Sequence, residues 1–372
     1  MDNTIARKKI AIIIPGGIGT GKNNVGVPVL ERIVKRLAIK FEVVVFSLFP
    51  VNQDYQPDGF QLISIRGTSR MVQYWNLFRQ FRRHHRQQMF QAIHGFWILP
   101  SGFLAVMLGR IFRVKSLVSI LGGDAVSLPG IGYGQLRNNF SRKLIFFTLR
   151  RAGHVLPLTQ YLVDNLKKEG FTRRDMEVIP WGIDVNLFTY KPKDRSSTFR
   201  FLHIGNLNWV KDQITLLQAF RIVCENIPAH LTIIGEGPQE QALRSLCASL
   251  GLEHAVSFEP LRPYHTLPAV YHQADVLLHT SLSEGQCEVV TEAMSCGVLV
   301  CGTRVGLLYD LPDACVSVNV KDHRALAKEV LVLIGDPDKA ERLRRTAHAW
   351  TSTHSIQWTV GEMGSLYNDE AG

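Results

Sequence analysis

The six cysteines form no C-x-x-C pair, and all of them lie in the second half of the chain, at positions 224, 247, 287, 296, 301 and 315. Such spacing suits neither a structural zinc knuckle nor a redox dithiol, and reads as buried free thiols in a reducing compartment. Long apolar runs are missing too. The longest stretch free of Asp, Glu, Lys, Arg and His, Gly95 to Gly109, is broken by Pro100 and Gly102 and falls short of the roughly 20 residues that cross a bilayer. Only about five apolar residues separate the basic start from Pro15-Gly16-Gly17, fewer than the roughly 7–15 of a secretory h-region. These absences predict a cytoplasmic protein. Acidic residues are scarce in one half only. Residues 1–180 hold 26 Lys/Arg against 10 Asp/Glu, whereas 181–372 hold 16 against 22, so the net charge of +10 hides two halves of opposite sign. A basic half of this kind suits an anionic partner, whether membrane surface, phosphorylated substrate or nucleic acid.

What is present is a chain of 372 residues with 46% apolar and 20% charged positions, enough for two cores of ordinary size. Short β-branched runs closed by Gly or Pro alternate with helical patterns in both halves, the rhythm of βαβ units and parallel sheets. In the first half, strands are predicted at Lys9–Pro15, Phe41–Phe46, Phe60–Ile65, Ala92–His94, Val114–Leu121, Val155–Leu158 and Met176–Ile179, with a helix at Val27–Ala38. After the Pro180-Trp181-Gly182 turn the rhythm restarts at Phe199–Ile204, Ala229–Ile234, Val256–Glu259, Val276–Thr280 and Val298–Gly302. The expected units are residues 1–180, residues 181–354, and a terminal helix over 355–372. Ligands of such open sheets bind at the carboxyl ends of the strands.

Three segments at strand ends carry chemistry. Ser281-Leu282-Ser283-Glu284-Gly285-Gln286-Cys287-Glu288 leads into a helix holding Glu292, Ala293, Met294 and Gly297. The turn frees backbone N–H groups for an anion, and two carboxylates eight residues apart flank it. A pair of acids at a helix start also arises simply to satisfy the helix dipole. Leu202-His203-Ile204-Gly205-Asn206-Leu207-Asn208-Trp209-Val210-Lys211 places a cation where a diphosphate leaving group needs one. The loop Gly16-Gly17-Ile18-Gly19-Thr20-Gly21 lacks the Lys-Ser/Thr ending of a P-loop and the G-x-G-x-x-G spacing.

The first two segments resemble the E-x7-E and G-R-L-x-x-x-K signatures of glycosyltransferase family 4, retaining sugar-nucleotide-dependent enzymes of the GT-B fold. Gly302, Thr303, Val305 and Gly306 extend the match. The resemblance implies an α/β protein with two doubly wound Rossmann-like domains facing a central cleft, with the 355–372 helix crossing back to the first domain. It also implies a donor sugar contact for Glu284, a ribose contact for Glu292 and a phosphate contact for Lys211. Asn206 stands where Arg is common, so the phosphates lean on Lys211 and on the Gly285, Gln286 and Cys287 backbone. Gly16 and Gly17 match the Gly-Gly pair that approaches the diphosphate and acceptor. Ile120-Leu121-Gly122-Gly123-Asp124 resembles the H-G-x-D element with Leu121 in the His position, which leaves Asp124 and His94 as catalytic candidates. No metal or other cofactor is expected, since the family needs none and no D-x-D stands in a suitable setting. A UDP- or GDP-sugar donor and a glycan or lipid-linked acceptor are implied, and nucleic acid is not expected.

Tyr74–Arg86 sets apolar residues 74, 75, 78 and 81 at helical spacing against a crowd of arginines. This pattern suits an anionic lipid surface and a peripheral location on the inner face of the cytoplasmic membrane. A sugar-nucleotide epimerase of the same fold, or a basic binding protein without catalysis, are the competing expectations.

Overall fold

The computed structural model describes residues 7–20, 26–193 and 198–369. Gly21, in the first glycine loop, and the last three residues of the 355–372 unit lie outside them.

Six parallel strands form the first sheet: β1 (Lys9–Ile14), β2 (Glu42–Ser47), β3 (Gln61–Ser64), β4 (Phe90–Phe96), β5 (Lys115–Ile120) and β6 (His154–Pro157), in the order β3-β2-β1-β4-β5-β6. The second sheet repeats the plan with β7 (Phe199–Ile204), β8 (Ala229–Ile234), β9 (Val256–Glu259), β10 (Val276–His279), β11 (Leu299–Thr303) and β12 (Val316–Val318), in the order β12-β11-β10-β7-β8-β9. Each sheet is wound outward from its first strand in both directions, so β1/β4 and β7/β10 are the switch points where crossover loops diverge and leave a crevice. The fold is the GT-B arrangement of two Rossmann-like domains.

The reason these segments are strands is legible in β1, whose six residues KIAIII are all buried. A central parallel strand is covered by helices on both faces and needs apolar side chains on each. The helix Pro28–Lys40 covers one face with Val29, Leu30, Ile33, Val34 and Leu37, and its proline sits in the first turn, where a missing N–H costs nothing. The opposite face is closed by Leu77 and Phe81 of the helix Arg70–Gln87.

Two predicted elements differ. Met176–Ile179 is no strand: one bridge links Met176 to Val155, and the Glu177 and Ile179 N–H groups donate to Val155 and Pro157 carbonyls. Its run ends at Pro180, which cannot extend a ladder. Conversely, the three-residue strand β12 escaped prediction because Val316–Val318 is too short to show a period.

The terminal helix Ile356–Asn368 lies against Pro28–Lys40. Tyr367 meets Phe41 edge to face at 5.5 Å, and Lys115 Nζ donates to the Leu366 carbonyl at 2.8 Å. Where the chain crosses between the sheets, Thr359 Oγ1 donates to the Pro180 carbonyl and accepts from the Gly182 N–H, both at 2.8 Å. A Cβ on Gly182 would collide with the Ser355 carbonyl, so only glycine permits this crossing.

Candidate functional site

The loops leaving β7 and β10 are stitched together before any charged group enters. Thr280 Oγ1 donates to the Lys211 and Asp212 carbonyls at 3.1 and 2.9 Å, and the Leu282 N–H donates to Val210 at 2.7 Å. Asn208 caps the short turn Trp209–Lys211 by accepting from the Lys211 N–H. Lys211 is thereby held over the end of β10.

Its ammonium meets Glu284 Oε1 at 2.6 Å. Ser281 Oγ donates to the same oxygen at 2.6 Å, and His279 Nε2 lies 3.2 Å away. Burial would raise the Glu284 carboxyl, yet the charge of Lys211 and the His279 contact outweigh it and hold the group well below the usual carboxylate range. Burial likewise opposes the Lys211 charge, and Glu284 reverses the outcome, pushing that ammonium up. Each therefore keeps the other ionised. His279 is driven down by burial, which Glu284 only partly offsets, so the imidazole is neutral at neutral pH.

Glu292 is buried on the helix Glu288–Ser295, which follows the Glu284 loop. Tyr271 donates its hydroxyl to Oε2 at 2.6 Å. Burial pushes the Glu292 carboxyl up to about 7 against the opposing bonds from Tyr271 and Tyr264 and the charge of Arg32. Arg32 belongs to the first domain. Its guanidinium lies over the Tyr264 ring at 4.6 Å and bonds Asp184 at 2.9 Å, so the Glu292 carboxyl feels a charge from the first domain.

The first domain reaches the same loop elsewhere. Gly285 packs so closely on Leu121 and Gly122 that a Cβ there would collide with the Leu121 carbonyl. Thr159 Oγ1 donates to the Gly285 carbonyl at 2.7 Å, and Tyr161 donates its hydroxyl to Ser283 Oγ at 3.2 Å. Asp310 accepts from the Gln160 and Tyr161 N–H groups at 2.7 and 3.0 Å, capping a first-domain helix from the second domain.

Lys211, Glu284, Gly285 and Cys287 thus come together, and Glu292 follows on the next helix with Tyr271, Tyr264 and Arg32 around it. Other sequence candidates have different surroundings. His94 is enclosed in the core, with Nδ1 2.7 Å from the Tyr367 hydroxyl, Nε2 2.8 Å from Ser119 Oγ and its ring stacked on Phe96; it presents no face to the cleft, which corrects its placing among the catalytic groups. Asp124 is also buried and turned on its own loop, accepting from the Ile98, Leu121 and Gly122 N–H groups at 3.0, 3.2 and 2.8 Å. It shapes the turn that presses on Gly285. The Gln286 side chain exchanges two bonds with the Trp181 backbone, at 2.7 and 2.6 Å, so only its main chain faces the loop. Asn206 is exposed, its carbonyl accepting from Gln213. Gly16 and Gly17 follow β1; Gly17, at φ 102°, donates to Thr20 Oγ1 at 3.0 Å, a turn that glycine supports without strain.

The apolar stripe expected to meet lipid is mostly spent on the protein itself. Leu77 and Phe81 are fully buried and Tyr74 and Phe78 pack against the same core, while Trp75 stands out with Met71 and Val72. Periodicity shows that a helix has an apolar face but not what covers it. Sequence reading also missed His279, Ser281, Tyr264, Tyr271 and Arg32; of these, His279 and Ser281 stood within five residues of Glu284.

Residues 190–350 match the family described as Glycosyl transferases group 1, and residues 27–182 match the Glycosyl transferase 4-like domain. The N-acetyl-alpha-D-glucosaminyl L-malate synthase of Bacillus anthracis is 23% identical over 301 residues, covering 76% of each chain. Further curated relatives are matched over about half of their length. Among solved structures, a sucrose-phosphate synthase from Thermosynechococcus elongatus superposes with a TM-score of 0.78 at 20% identity, over 97% of this chain and 98% of its own. The Anabaena protein HepE, solved with UDP and glucose, gives 0.76 at 18% identity, over 96% and 99%. At such identity the likeness to solved structures shows the fold.

Proposed function

Because the chain belongs to the group 1 glycosyltransferases, we propose that it moves a sugar from a nucleoside diphosphate donor to an acceptor hydroxyl with retention at the anomeric carbon. The observation that carries this reading is the Lys211–Glu284 pair, 2.6 Å apart at the end of β10. Transfer builds negative charge on the departing diphosphate, and a fixed cation placed there lowers the barrier. Lys211 supplies the positive charge that a metal would otherwise bring. Three donors crowd Glu284 Oε1, which leaves Oε2 to take a sugar hydroxyl and orient the anomeric carbon. Glu292, held by Tyr271, is the acid for the ribose. Gly16, Gly17 and the Gly285–Cys287 backbone complete the diphosphate site. That HepE was solved with UDP favours a UDP-sugar, with GDP the alternative.

The acceptor belongs to the first domain. A cavity of about 620 Å³ opens beyond β1, β2 and β4, walled by Phe49, Leu99, Phe103 and Phe140 with Arg70 at its side. Such a lining suits an acceptor with an apolar portion and an anionic group, as in a lipid-linked glycan. Trp75 and Phe78 stack at 5.5 Å beside Arg79, Arg82, Arg83 and Arg86 in a neighbouring groove, which supports contact with an anionic membrane surface.

A thermal-shift panel of UDP, GDP, ADP and their sugars tests the donor, since a ligand selective for the folded state raises the midpoint. One nucleotide class should stabilise the protein, and its sugar should be transferred with the anomeric configuration kept. Inversion, or stabilisation by none of them, refutes the reading.

A further inference from the structure

The loop that carries Glu284 also gathers two donor residues, His279 and Cys287, to which the transfer chemistry gives no role of their own. His279, the last residue of β10, is fully buried, and its Nε2 lies 3.2 Å from Cys287 Sγ and 3.2 Å from Glu284 Oε1. One donor atom of each of the three residues lies within 4.8 Å of the other two. Zinc bonds of about 2.0–2.3 Å in tetrahedral geometry place neighbouring donors roughly 3.3–3.6 Å apart. The two contacts of His279 are within a few tenths of an ångström of that separation.

The chemistry of the set narrows the ion. Imidazole, thiolate and carboxylate suit a borderline-soft divalent cation, whereas magnesium and calcium seek oxygen ligands alone. The backbone aims the thiol: Cys287 adopts φ 81°, a left-handed conformation unusual for a residue with a side chain, which folds Sγ back toward a histidine eight residues earlier. A cation already stands at the third donor, since Lys211 Nζ contacts Glu284 Oε1.

We propose that His279, Glu284 and Cys287 form a binding site for a borderline-soft divalent cation, zinc foremost, and that this ion and the Lys211–Glu284 pair exclude one another. A divalent ion bonded to Oε1 would stand within a few ångströms of the ammonium, a repulsion strong in a partly desolvated site. Lys211 then swings away and the donor phosphates lose their cation. On binding, the Cys287 thiol releases its proton to solvent and sulfur bonds the metal as thiolate; the neutral His279 imidazole shifts its proton from Nε2 to Nδ1 so that Nε2 offers its lone pair, Glu284 Oε1 is the third ligand, and the fourth position takes water. Metal binding stands apart from the glycosyltransfer reading, whereas its inhibitory consequence rests on it.

The test uses the full chain stripped of adventitious metal. Titration with Co2+ should give one ion per chain and a near-ultraviolet thiolate-to-cobalt band that Zn2+ abolishes by displacement. Cys287→Ser should lose the band, and His279→Gln should bind Zn2+ at least tenfold more weakly, with Mg2+ leaving both signals unchanged. X-ray absorption of the zinc-loaded wild-type protein should show one sulfur in the metal shell, a readout independent of whether the variants fold. A shell without sulfur, or zinc affinity unchanged by Cys287→Ser, overturns the site. Saturating Zn2+ should then weaken UDP or GDP binding at least tenfold. If zinc binds through sulfur while nucleotide binding is unchanged, the exclusion is wrong; if neither nucleotide binds the metal-free protein, the donor assignment fails and the site stands.

Discussion

Lys211 Nζ and Glu284 Oε1 lie 2.6 Å apart although 73 residues separate them in sequence. The pair exists because β7 and β10 are neighbours at the switch point of the second sheet, so loops distant along the chain leave the sheet side by side. Removing one partner uncovers the other charge in a site that is largely desolvated. Lys211→Ala should therefore lower kcat/KM for transfer by about 10²–10³-fold, the usual loss when a preorganised charge is removed from a developing anion. Steady-state kinetics against both substrates checks this. Glu284→Gln, which keeps the shape but not the charge, should lose transfer while still binding nucleotide.

Glu292 carries a pH signature. Its carboxyl titrates near 7 when folded, because burial disfavours the charge, against a usual value of 4.5. Between those values the folded state holds a proton that the unfolded chain has released, so stability falls as pH rises from about 4.5 to 7 and is level above. The span corresponds to roughly 3 kcal/mol. Glu292→Gln is neutral throughout, and its denaturant midpoint should lack that decline.

Tyr367 and His94 hold the terminal helix to β4 and β5. Tyr367→Phe leaves a buried imidazole nitrogen without its partner, at a cost of about 1–3 kcal/mol. Thermal unfolding should start several degrees lower while kcat/KM stays within about twofold. A large loss of turnover at unchanged stability would return His94 to the catalytic machinery.

Asp124 stands between these cases. Its carboxylate gathers three backbone N–H groups and so fixes the turn that presses on Gly285. Asp124→Ala should cost about 3 kcal/mol and also raise the donor KM, because the loop bearing Glu284 loses its backing. Stability measured with and without nucleotide separates the two effects.

These contrasts show what a sequence can express. The strand β1 was legible because covering helices on both faces force apolar residues at successive positions. Lys211 and Glu284 were singled out because their segments resemble two signatures of a known family; that the two side chains meet depends on the pairing of β7 with β10, which no local spacing states. The surroundings of His94 could not be read because its partner Tyr367 is 273 residues away. Nothing near a histidine in sequence distinguishes a core hydrogen bond from a site facing a cleft. In the helix Arg70–Gln87 the stripe was visible but the sheet that covers Leu77 and Phe81 was not. Arg32 went unnoticed for the complementary reason: it acts on the second domain from the first, through Tyr264, a relation that exists only once the domains are docked.

The role of Lys211 at the donor diphosphate is tested most directly by calorimetric titration of UDP and GDP into the wild-type protein and into Lys211→Ala. The wild-type protein should bind one of the two, and the variant, shown folded by its unfolding transition, should bind it at least tenfold more weakly. Equal affinity in a folded variant would contradict the account.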